Sequence, residues 1–567
     1  MPPKFSLEMH EATIFANCLD SQKRTSPCEA ACPAGMPIQK MNTLIKENRM
    51  EEALQFIRSR NPLSSITGRV CSHPCETGCN RNEFDQDLSI RALERYPSDH
   101  ADRSALSRPR KKEATGKKVA VIGSGPAGMT CAYFSALFGH EVTVFEASPF
   151  LGGMPRIGIP DFRLPKHVVD REIGQILGLG IEARTNTAVC RDVSLEFLLS
   201  QYDACLIAAG AWKERTLDLP GGDMALSGFT FLKEANLGRR ENPGKRVVII
   251  GGGGVAFDCA FTAKRLGAEE VHVICVEGPS AMCAPQDDLV QAKEEGIAIH
   301  HSSVASRIVG RQSRVTGVEF SEISGFHFDD CGKLIVEPGS NPKKTLKADT
   351  VISAVGVEPD LSQIDPQNRL RTTARKTIEV HPITMATSLD RVFAAGDVVT
   401  GPSTVAQAVG GGRFAAVAIN NRLMGLGQDQ GIRIVVNDQG KPAFKENRAA
   451  AGQHVVKYEE MMNLDSFEKK KRPETVRLPL LKSITCLDEI DKGLRPEDAM
   501  AEAERCFHCG HCQLCGNCVE DCPGYVLAMT DNGPKVVYPE ECWHCGNCRI
   551  SCPSAAVSYE FPISMLV

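Results

Sequence analysis

The sequence lacks the features that would indicate a membrane or a nucleic-acid partner. Its first 20 residues have neither the basic start nor the apolar core of a signal peptide. No uncharged apolar stretch approaches the length of about 18 residues that a membrane span needs. The net charge of −5 is too small to indicate nucleic acid. We therefore expect no membrane span and a cytoplasmic location, where the 24 cysteines would be metal ligands rather than disulfides.

Ten of the 24 cysteines lie between residues 506 and 552, and eight of them form two runs of the pattern CxxCxxCxxxCP. Three closely spaced thiolates can bind one cluster, and the cysteine before proline reaches the cluster of the other run. Zinc sites instead use two separated cysteine pairs. The spacing therefore predicts two [4Fe–4S] clusters, one on Cys512, Cys515, Cys518 and Cys552 and one on Cys542, Cys545, Cys548 and Cys522.

Two further cysteines, Cys506 and Cys509, precede these runs. They exceed what two clusters need, and we interpret them as unbound, with donation to a neighbouring cluster as the alternative. The nearby His508, His511 and His544 are expected at the surface, because ferredoxin clusters take four thiolates.

The pattern from Lys117 onward alternates strands and helices, which indicates parallel sheets. Residues 118–146 contain the first glycine loop, Gly123-x-Gly125-x-x-Gly128. Gly123 permits the tight turn, Gly125 lets a dinucleotide diphosphate approach the backbone at the helix N-terminus, and Gly128 allows the helix to pack closely on the strand. Glu146 ends the second strand, where it suits ribose hydroxyls. The predicted cofactor contacts of this unit are Gly123, Gly125, Pro126, Ala127, Gly128 and Glu146.

A second unit of the same kind spans residues 245–277. Its second strand ends at Glu277, and an acidic residue there accepts hydrogen bonds from the adenosine 2′-hydroxyl and repels a 2′-phosphate. No arginine occurs between Arg265 and Arg307, so the sequence favours NADH over NADPH. The predicted contacts are Gly251, Gly253, Gly254, Val255, Ala256 and Glu277.

Residues 117–425 resemble the flavoproteins with two dinucleotide-binding domains, specifically the glutamate synthase small (beta) subunit and its relatives. The resemblance rests on the first loop with Leu151-Gly152-Gly153, on residues 158–165 (GIPDFRLP), on Val355-Gly356, and on residues 393–397 (FAAGD) through 401–405 (GPSTV). It implies that the first fold holds FAD and that the second domain is inserted into it. Further cofactor contacts implied by the resemblance are Gly153, Arg163, Gly356, Gly396, Asp397, Thr404 and Val405.

Two departures from that family are informative. Its NADPH-using members typically carry an Arg-Arg pair where this chain has Val276-Glu277, which again favours NADH. The sequence also has no CxxC in the second domain, so Cys259 and Cys275 are interpreted as small buried residues rather than redox thiols.

Residues 18–96 resemble the family's N-terminal iron–sulfur domain, whose full pattern holds two [4Fe–4S] clusters and uses a CxxC near its start. Cys18 has no partner three residues away, so one or two clusters remain open. By the resemblance, Cys32, Cys71 and Cys75 share one cluster, with Glu94 as an oxygen ligand. Cys28 and Cys79 belong to the other cluster in the full pattern, or they complete a single one. The alternatives are a zinc knot or a purely structural domain.

The sequence therefore predicts a multidomain α/β protein with a helical N-terminal iron–sulfur domain, two Rossmann-like domains and a C-terminal 2[4Fe–4S] ferredoxin domain of α+β type. The expected divisions are a helical domain at 1–102, a linker at 103–116, an FAD domain at 117–244 and 346–425, an NAD(P) domain at 245–345, a connecting segment of strands and a helix at 426–503, and the ferredoxin domain at 504–567.

These parts indicate an enzyme that exchanges hydride between NADH and FAD, and single electrons between FAD and the clusters. No side chain need act as acid or base, so no catalytic residue is predicted. The acidic tail, with seven acidic and three basic residues from Glu504 onward, suits a positively charged redox partner, either a ferredoxin or a partner subunit in a hetero-oligomer. The alternatives are an NADPH-dependent glutamate synthase small subunit, a subunit of an electron-bifurcating transhydrogenase, or a scaffold with relic sites.

Overall fold

The computed structural model describes residues 15–16, 24–102, 109–311, 314–329, 334–427, 432–436, 442–446, 454–531 and 533–558. Cys18 and part of the predicted linker lie outside these residues. No helix in the described ranges is both long enough and apolar enough to cross a membrane.

The N-terminal region is helical, as the sequence predicts. Its core contains Met41, Ile45, Leu54, Ile57 and Leu93, which lie on one face of each amphipathic helix. Two of these helices, Ile38–Lys46 and Met50–Arg58, are separated at Asn48, which adopts a left-handed backbone with φ of 55°. The helices are Pro27–Ala31, Ile38–Lys46, Met50–Arg58, Ser64–Val70, Pro74–Thr77 and Ile90–His100, with a 3₁₀ turn at Asn80–Glu83.

The first Rossmann-like domain is built on a five-stranded parallel sheet. Its strands, in spatial order, are Val392–Ala394, Ala204–Ile207, Lys118–Ile122, Glu141–Phe145 and Glu182–Arg184. Because its edge strand comes from residues 392–394, the chain returns to this sheet after forming the second domain, which confirms the discontinuous arrangement. The helices of this part are Pro126–Leu137, Met154–Ile157, Lys166–Leu177, Leu195–Gln201, Asp397–Thr400 and Val405–Leu423.

The second Rossmann-like domain has its own five-stranded parallel sheet. Its order is Ala298–His300, Glu270–Ile274, Arg246–Ile250, Thr350–Ser353 and Leu226–Ser227. Two of these strands lie outside the predicted range of 245–345, so the domain extends further on both sides. Its helices are Gly228–Asn236, Gly254–Arg265 and Gln286–Glu294.

Smaller β elements complete the nucleotide-binding half. An antiparallel sheet extends the second domain and consists of Ser303–Arg311, Arg314–Phe328, Leu334–Pro338 and Lys344–Lys347. A short antiparallel ribbon pairs Lys213–Glu214 with Val357–Glu358 at the passage between the two domains. Single 3₁₀ turns lie at Gly222–Met224 and Leu361–Gln363.

The C-terminal part returns to the N-terminal domain before it forms the ferredoxin fold. A hairpin of Ile432–Val436 and Pro442–Glu446 comes first, and His454–Val455 then pairs in parallel with Arg24–Thr25. Short turns at Tyr458–Glu460, Leu464–Ser466 and Leu480–Ser483 lead to the helix Pro496–Glu504. The ferredoxin elements are Asn517–Glu520, Leu527–Thr530, Gly533–Val536, Pro539–Glu541, Asn547–Ile550 and Val557–Ser558, the last paired with Phe15–Ala16.

One hydrophobic core joins several of these parts. It runs from Leu54 in the N-terminal helices through Val121 in the first sheet to Ala499 and Cys506 near the ferredoxin domain. The helix Pro496–Glu504 therefore packs with the N-terminal domain, although about 400 residues separate them in sequence. This return of the chain brings N-terminal and C-terminal cysteines together.

Candidate functional site

The first glycine loop has the backbone geometry of a dinucleotide site. Gly123 has φ of 100°, and a side chain at Gly128 would collide with the carbonyl oxygen of Gly123. At Gly125 a Cβ atom would meet nothing within 4 Å, so the backbone there is open to a diphosphate. Pro126 begins the helix behind the loop. The carboxylate of Glu146 accepts hydrogen bonds from the backbone N–H of Ser124, at 2.9 Å, and from its hydroxyl, at 2.6 Å.

Two segments that are distant in sequence converge on this loop. A Cβ atom on Gly153, where φ is 61°, would lie 2.8 Å from the Cα atom of Gly125. A Cβ atom on Gly396, where φ is 75°, would lie 2.8 Å from the Cβ atom of Ala127. These close approaches need glycine, and they place residues 396–405 at the N-terminus of the first loop's helix.

The segment that follows Gly396 is fixed by short hydrogen bonds. Ser403 donates to the Asp397 carboxylate at 2.8 Å, and burial raises the pKa of Asp397 to about 6. The long helix starts with a capping box, since the backbone N–H of Gln407 donates to Thr404 at 3.2 Å and that of Thr404 donates to the Gln407 side chain at 3.1 Å. Thr404 and Val405 are thereby held where the resemblance predicts a contact with the flavin.

The second glycine loop has the same shape but a different acid. Gly251 has φ of 136°, and Cβ atoms on Gly253 or Gly254 would meet nothing within 4 Å. Ala256 is fully buried, whereas Val255 is half exposed on the open side of the loop. Glu277 lies under the loop, against Gly252. Its buried Oε2 atom has no hydrogen-bond partner among the described residues, unlike the corresponding oxygen of Glu146. A buried acceptor without a donor is rare in folded proteins, and a ribose hydroxyl would satisfy it.

Two other residues that the sequence assigned to nucleotides have different surroundings. Gly356 has φ of 102° and faces open space, as a close approach to a ligand requires. Arg163 instead donates to two carboxylates on helices of the second domain, to Asp258 at 2.9 Å and to Asp288 at 2.8 Å. Burial raises the pKa of Asp258 to about 6 despite the opposing charge of Arg163. In the structure Arg163 joins the two dinucleotide-binding domains, a role that the sequence did not indicate.

Four predicted N-terminal ligands line one cavity. These are Cys32, Cys71, Cys75 and Glu94. Burial raises the pKa of Cys32 to about 11 and that of Cys71 to about 12, so these thiols would stay protonated without a positive partner.

Glu94 is held in that cavity by two neutral donors. Its Oε1 atom accepts from the side chains of Asn61 and Thr67, each at 2.7 Å, and burial raises the pKa of Glu94 to about 7. A carboxylate and three cysteines around a common space fit one iron–sulfur cluster, which would stabilise the charged forms of all four.

The ferredoxin cysteines are grouped in the crossed manner that their spacing predicts. Cys512, Cys515, Cys518 and Cys552 line one cavity. The pKa of Cys548 is raised to about 11 by burial and by the neighbouring Cys522, Cys542 and Cys545. Within the described residues no three histidine, cysteine or acidic side chains are close enough to hold a single metal ion, and a cubane holds its ligands farther apart than one ion does.

The remaining cysteines divide into two kinds. Cys259 and Cys275 are buried in the second domain, and burial raises the pKa of each thiol, as expected for packing residues. Cys28 and Cys79 do not line the cavity described above; they lie beside Cys506 and Cys509 instead. His508, between the last two, is buried rather than exposed, so its predicted surface position is wrong, and burial lowers its pKa to about 4.

Three family models match the chain, and they divide it as the fold does. The model described as pyridine nucleotide-disulphide oxidoreductase covers residues 117–412, about half of the chain. The chain belongs to this family. The model described as dihydropyrimidine dehydrogenase domain II, 4Fe-4S cluster, covers residues 5–106, and a 4Fe-4S dicluster domain covers residues 511–557.

Relatives of known name share most of this arrangement. The chain is 35% identical over 516 residues to the NADP(+)-dependent formate dehydrogenase subunit beta of Moorella thermoacetica, covering 86% of this chain and 70% of that protein. It is 34% identical to the NADPH-Fe(3+) oxidoreductase subunit beta of Geobacter sulfurreducens, covering 86% and 75%. It is 33% identical to the glutamate synthase [NADPH] small chain of Escherichia coli, covering 70% and 88%. This oxidoreductase is therefore an NAD(P)H-dependent flavin and iron–sulfur protein of the glutamate synthase small-subunit type, extended by a ferredoxin domain.

Proposed function

We propose that this protein is the NADH-linked electron-transfer subunit of a larger, cytoplasmic oxidoreductase complex. One observation carries the proposal: the cavity lined by Cys32, Cys71 and Cys75 shares a wall with the helix Val405–Leu423. Ala406, in the first turn of that helix, lines the cavity. A side chain at Gly410 would collide with the carbonyl oxygen of Pro33, so the cysteine loop lies directly on the helix. The predicted flavin and cluster sites are thus on two sides of one helix turn.

The protein's own groups hold and orient the cofactors. When bound, FAD supplies the conversion between two-electron hydride transfer and single-electron transfer. The N-terminus of the helix Pro126–Leu137 offers N–H groups and positive partial charge to the diphosphate of FAD. Glu146 keeps the loop in shape through its hydrogen bonds to Ser124, and it would bind the ribose hydroxyls of FAD. Asp397 and Thr404 would contact the ribityl chain and the ring.

The preference for NADH is proposed from the position of Glu277. Its buried oxygen lacks a donor, and the adenosine 2′-hydroxyl of NADH supplies one. A 2′-phosphate at that place would face the carboxylate instead. At 4 Å and an effective dielectric constant of about 20, two unit charges repel by roughly 4 kcal/mol, which is about a thousandfold in binding. The named relatives carry NADP or NADPH in their names, so this chain would differ from them in nucleotide.

The experiment is an anaerobic reduction of the FAD-loaded protein with each nucleotide. We expect NADH to bleach the visible flavin absorbance and to support viologen reduction, with an advantage over NADPH in kcat/KM of at least about a hundredfold. Glu277→Gln should reduce that advantage by about tenfold or more, because it removes the repulsive charge. Glu270→Gln, at the exposed start of the strand that precedes Glu277, is the matched control and should leave the ratio unchanged. Failure with both nucleotides would refute the proposed function, and an equal rate with NADPH would refute the NADH assignment.

The exposed end of the ferredoxin domain is the proposed contact with the redox partner. Cys515 and Cys545 are exposed in this domain, and so are several of its large apolar side chains, including Tyr525 and Trp543, which are 78% and 68% exposed. The acidic excess of the tail adds long-range attraction for a basic partner. The partner is either a further subunit of the complex or a ferredoxin. When the co-purifying subunit is removed, we expect electron transfer from NADH to the natural acceptor to be lost. Reduction of viologen by NADH should be retained.

A further inference from the structure

We propose that Cys28, Cys79, Cys506 and Cys509 bind a further [4Fe–4S] cluster, with two ligands from the N-terminal domain and two from the segment that precedes the ferredoxin domain. The cluster would join the two iron–sulfur domains of the chain. The proposal deepens the proposed function by giving its electrons a route, but its test needs no nucleotide and no turnover.

The loops that carry Cys79 and Cys509 are bonded to each other. The side chain of Asn80, next to Cys79, donates to the sulfur of Cys509 at 3.4 Å and to the carbonyl oxygen of Val456 at 3.0 Å. Arg81 donates to the carbonyl oxygen of Arg505, the residue before Cys506, at 2.6 Å. These hydrogen bonds hold the segment with Cys79 beside the segment with Cys506 and Cys509.

Cys28 approaches Cys79 and Cys506 from a third segment of the chain. Its helix, Pro27–Ala31, packs against Pro74–Thr77, which leads to Cys79. The helix Pro496–Glu504, which leads to Cys506, packs against Ile38–Lys46. Gln39, on the latter helix, points its amide nitrogen at the Cys28 sulfur at 3.8 Å.

Cys28, Cys506 and Cys509 are buried, and Cys79 is partly buried. Burial raises the pKa of Cys28 well above its usual value, and the neighbouring thiolates of Cys79 and Cys506 raise it further. Burial raises the pKa of Cys509 in the same way, again with contributions from Cys506 and Cys79. None of these cysteines forms a disulfide. Cysteines that converge from separate segments in this way can bind a cluster as thiolates, because cationic iron offsets their mutual repulsion.

Polar groups around the sulfurs lack the partners that a cluster would give them. The side chain of Asn42 is fully buried, and neither its nitrogen nor its oxygen has a hydrogen-bond partner of ordinary geometry among the described residues. Burial raises the pKa of Cys506 to about 11, and Asn42 lies close enough to that thiol to offset part of the rise. The Oε1 atom of Gln39 is also buried without a partner in the described structure. Amide N–H groups aimed at cysteine sulfurs are a normal part of iron–sulfur sites, where they adjust the potential.

The position of this site connects the other clusters. On one side, the helix Pro27–Ala31, which carries Cys28, packs against the helix Pro74–Thr77, which carries Cys75. On the other side, the backbone N–H of Gly510 donates to the carbonyl oxygen of Ser554 at 2.7 Å, and Ser554 contacts Cys552. The four cysteines therefore lie between the cavity next to the helix Val405–Leu423 and the predicted ferredoxin clusters. The pair at 506 and 509 supplies the CxxC that the N-terminal sequence lacks.

The test is iron quantitation with EPR and Mössbauer spectroscopy on the full-length, anaerobically purified protein reduced with dithionite. We expect four clusters, or about 16 iron atoms per chain, in the unaltered protein. The double variant Cys506→Ala/Cys509→Ala should lose about four iron atoms and one EPR signal, and Cys28→Ala/Cys79→Ala should lose the same signal. Both should retain FAD and the ferredoxin signals. Cys486→Ser and Cys18→Ser are the controls and should keep all the iron.

Several results would overturn the proposal. One is an unaltered protein with only about 12 iron atoms per chain, a measurement that does not depend on how any variant folds. Another is a Cys506/Cys509 variant with unchanged iron and spectra. A third is loss of the signal in Cys18→Ser but not in the Cys506/Cys509 variant. A protein that has all four clusters but is not reduced by NADH would refute the proposed function and leave this inference standing.

Discussion

Asp85 holds the joint between the N-terminal domain and the segment at 505–509, and its removal should open that joint. Its carboxylate accepts from Arg81 at 2.8 Å and from Arg505 at 3.1 Å, and Arg505 also makes a bidentate pair with Glu502 at 2.8 and 3.0 Å. The side chains of Arg81 and Arg505 are 1% and 2% exposed. Two buried guanidinium groups are thus balanced by two carboxylates.

Asp85→Ala leaves one buried positive charge without a partner. Breaking a buried pair in this way typically destabilises by about 3–5 kcal/mol, whereas an exposed pair contributes about 0–1 kcal/mol. Because each 1.4 kcal/mol is a factor of about ten, the joint should open at least roughly a hundredfold more often. Asp85→Asn should behave similarly, since it keeps the shape but not the charge. The matched control is Glu504→Gln, which removes an exposed pair with Lys46 at 4.0 Å.

Hydrogen exchange of the peptide containing residues 504–510 measures this opening directly, and the rate of iron loss on warming measures its consequence. Burial tends to raise the pKa of Asp85, but hydrogen bonds from Arg81 and from the backbone N–H of Gln86 outweigh it and hold the pKa well below its usual range. The stabilisation is therefore complete above the unfolded pKa of about 4 and is lost as the pH falls below it. Equal exchange rates in Asp85→Ala and Glu504→Gln would refute this reasoning. So would a loss of stability below about pH 4 that is the same in Asp85→Ala as in the unaltered protein.

Three further predictions concern other parts of the chain. Gly410→Val should displace the loop at Pro33. Iron quantitation should then show loss of the cluster next to the helix Val405–Leu423, while the ferredoxin signals remain. Gly427→Val, at an open position, is the control. Burial lowers the pKa of Lys166 to about 8, so the unfolded state binds more protons between about pH 8 and 10 and stability should rise there; pH-dependent melting of Lys166→Met should lack that rise. Arg265→Met should lower the melting temperature strongly by leaving Glu295 as an unpaired, fully buried carboxylate, whereas the exposed pair removed in Arg239→Met should matter little.

The sequence predicted the parts of the site that depend on local spacing. Gly123, Gly125 and Gly128 are separated by the distances that one tight turn and one helix start require, so their roles follow from a short segment. The crossed grouping of the ferredoxin cysteines is equally local, because each run supplies three thiolates to one space and the fourth to its neighbour. The two Rossmann-like sheets followed from the alternation of strands and helices.

Features made by long-range packing were not predictable in this way. The strands at 226–227 and 350–353 are too short to show a periodic pattern in the sequence. Only pairing assigns them to the second sheet, since 350–353 pairs with Arg246–Ile250 and 226–227 pairs with 350–353. Arg163 was interpreted as a cofactor contact because nothing in the sequence shows that Asp258 and Asp288 approach it. Cys506 and Cys509 were interpreted as unbound because they exceed what two ferredoxin clusters need, and the partners proposed above, Cys28 and Cys79, are more than 400 residues away. The one available signal was the unpaired Cys18, which showed that a CxxC was missing.

In the proposed cluster, two of the four ligands, Cys506 and Cys509, come from the C-terminal part of the chain instead of the N-terminal domain. This position has a consequence for how the two domains dock. With all ligands inside the N-terminal domain, docking of the ferredoxin domain would depend on the shared hydrophobic core and the buried ion pairs without help from metal binding. Ligands from residues 506 and 509 instead make cluster binding depend on docking of the two domains, since the thiolates converge only when Asn80 and Arg81 contact the returning segment. Metal binding then contributes its free energy to the docked arrangement. The same four bonds that fix the ferredoxin domain in place would thus also complete the path for electrons between the flavin and the exposed clusters.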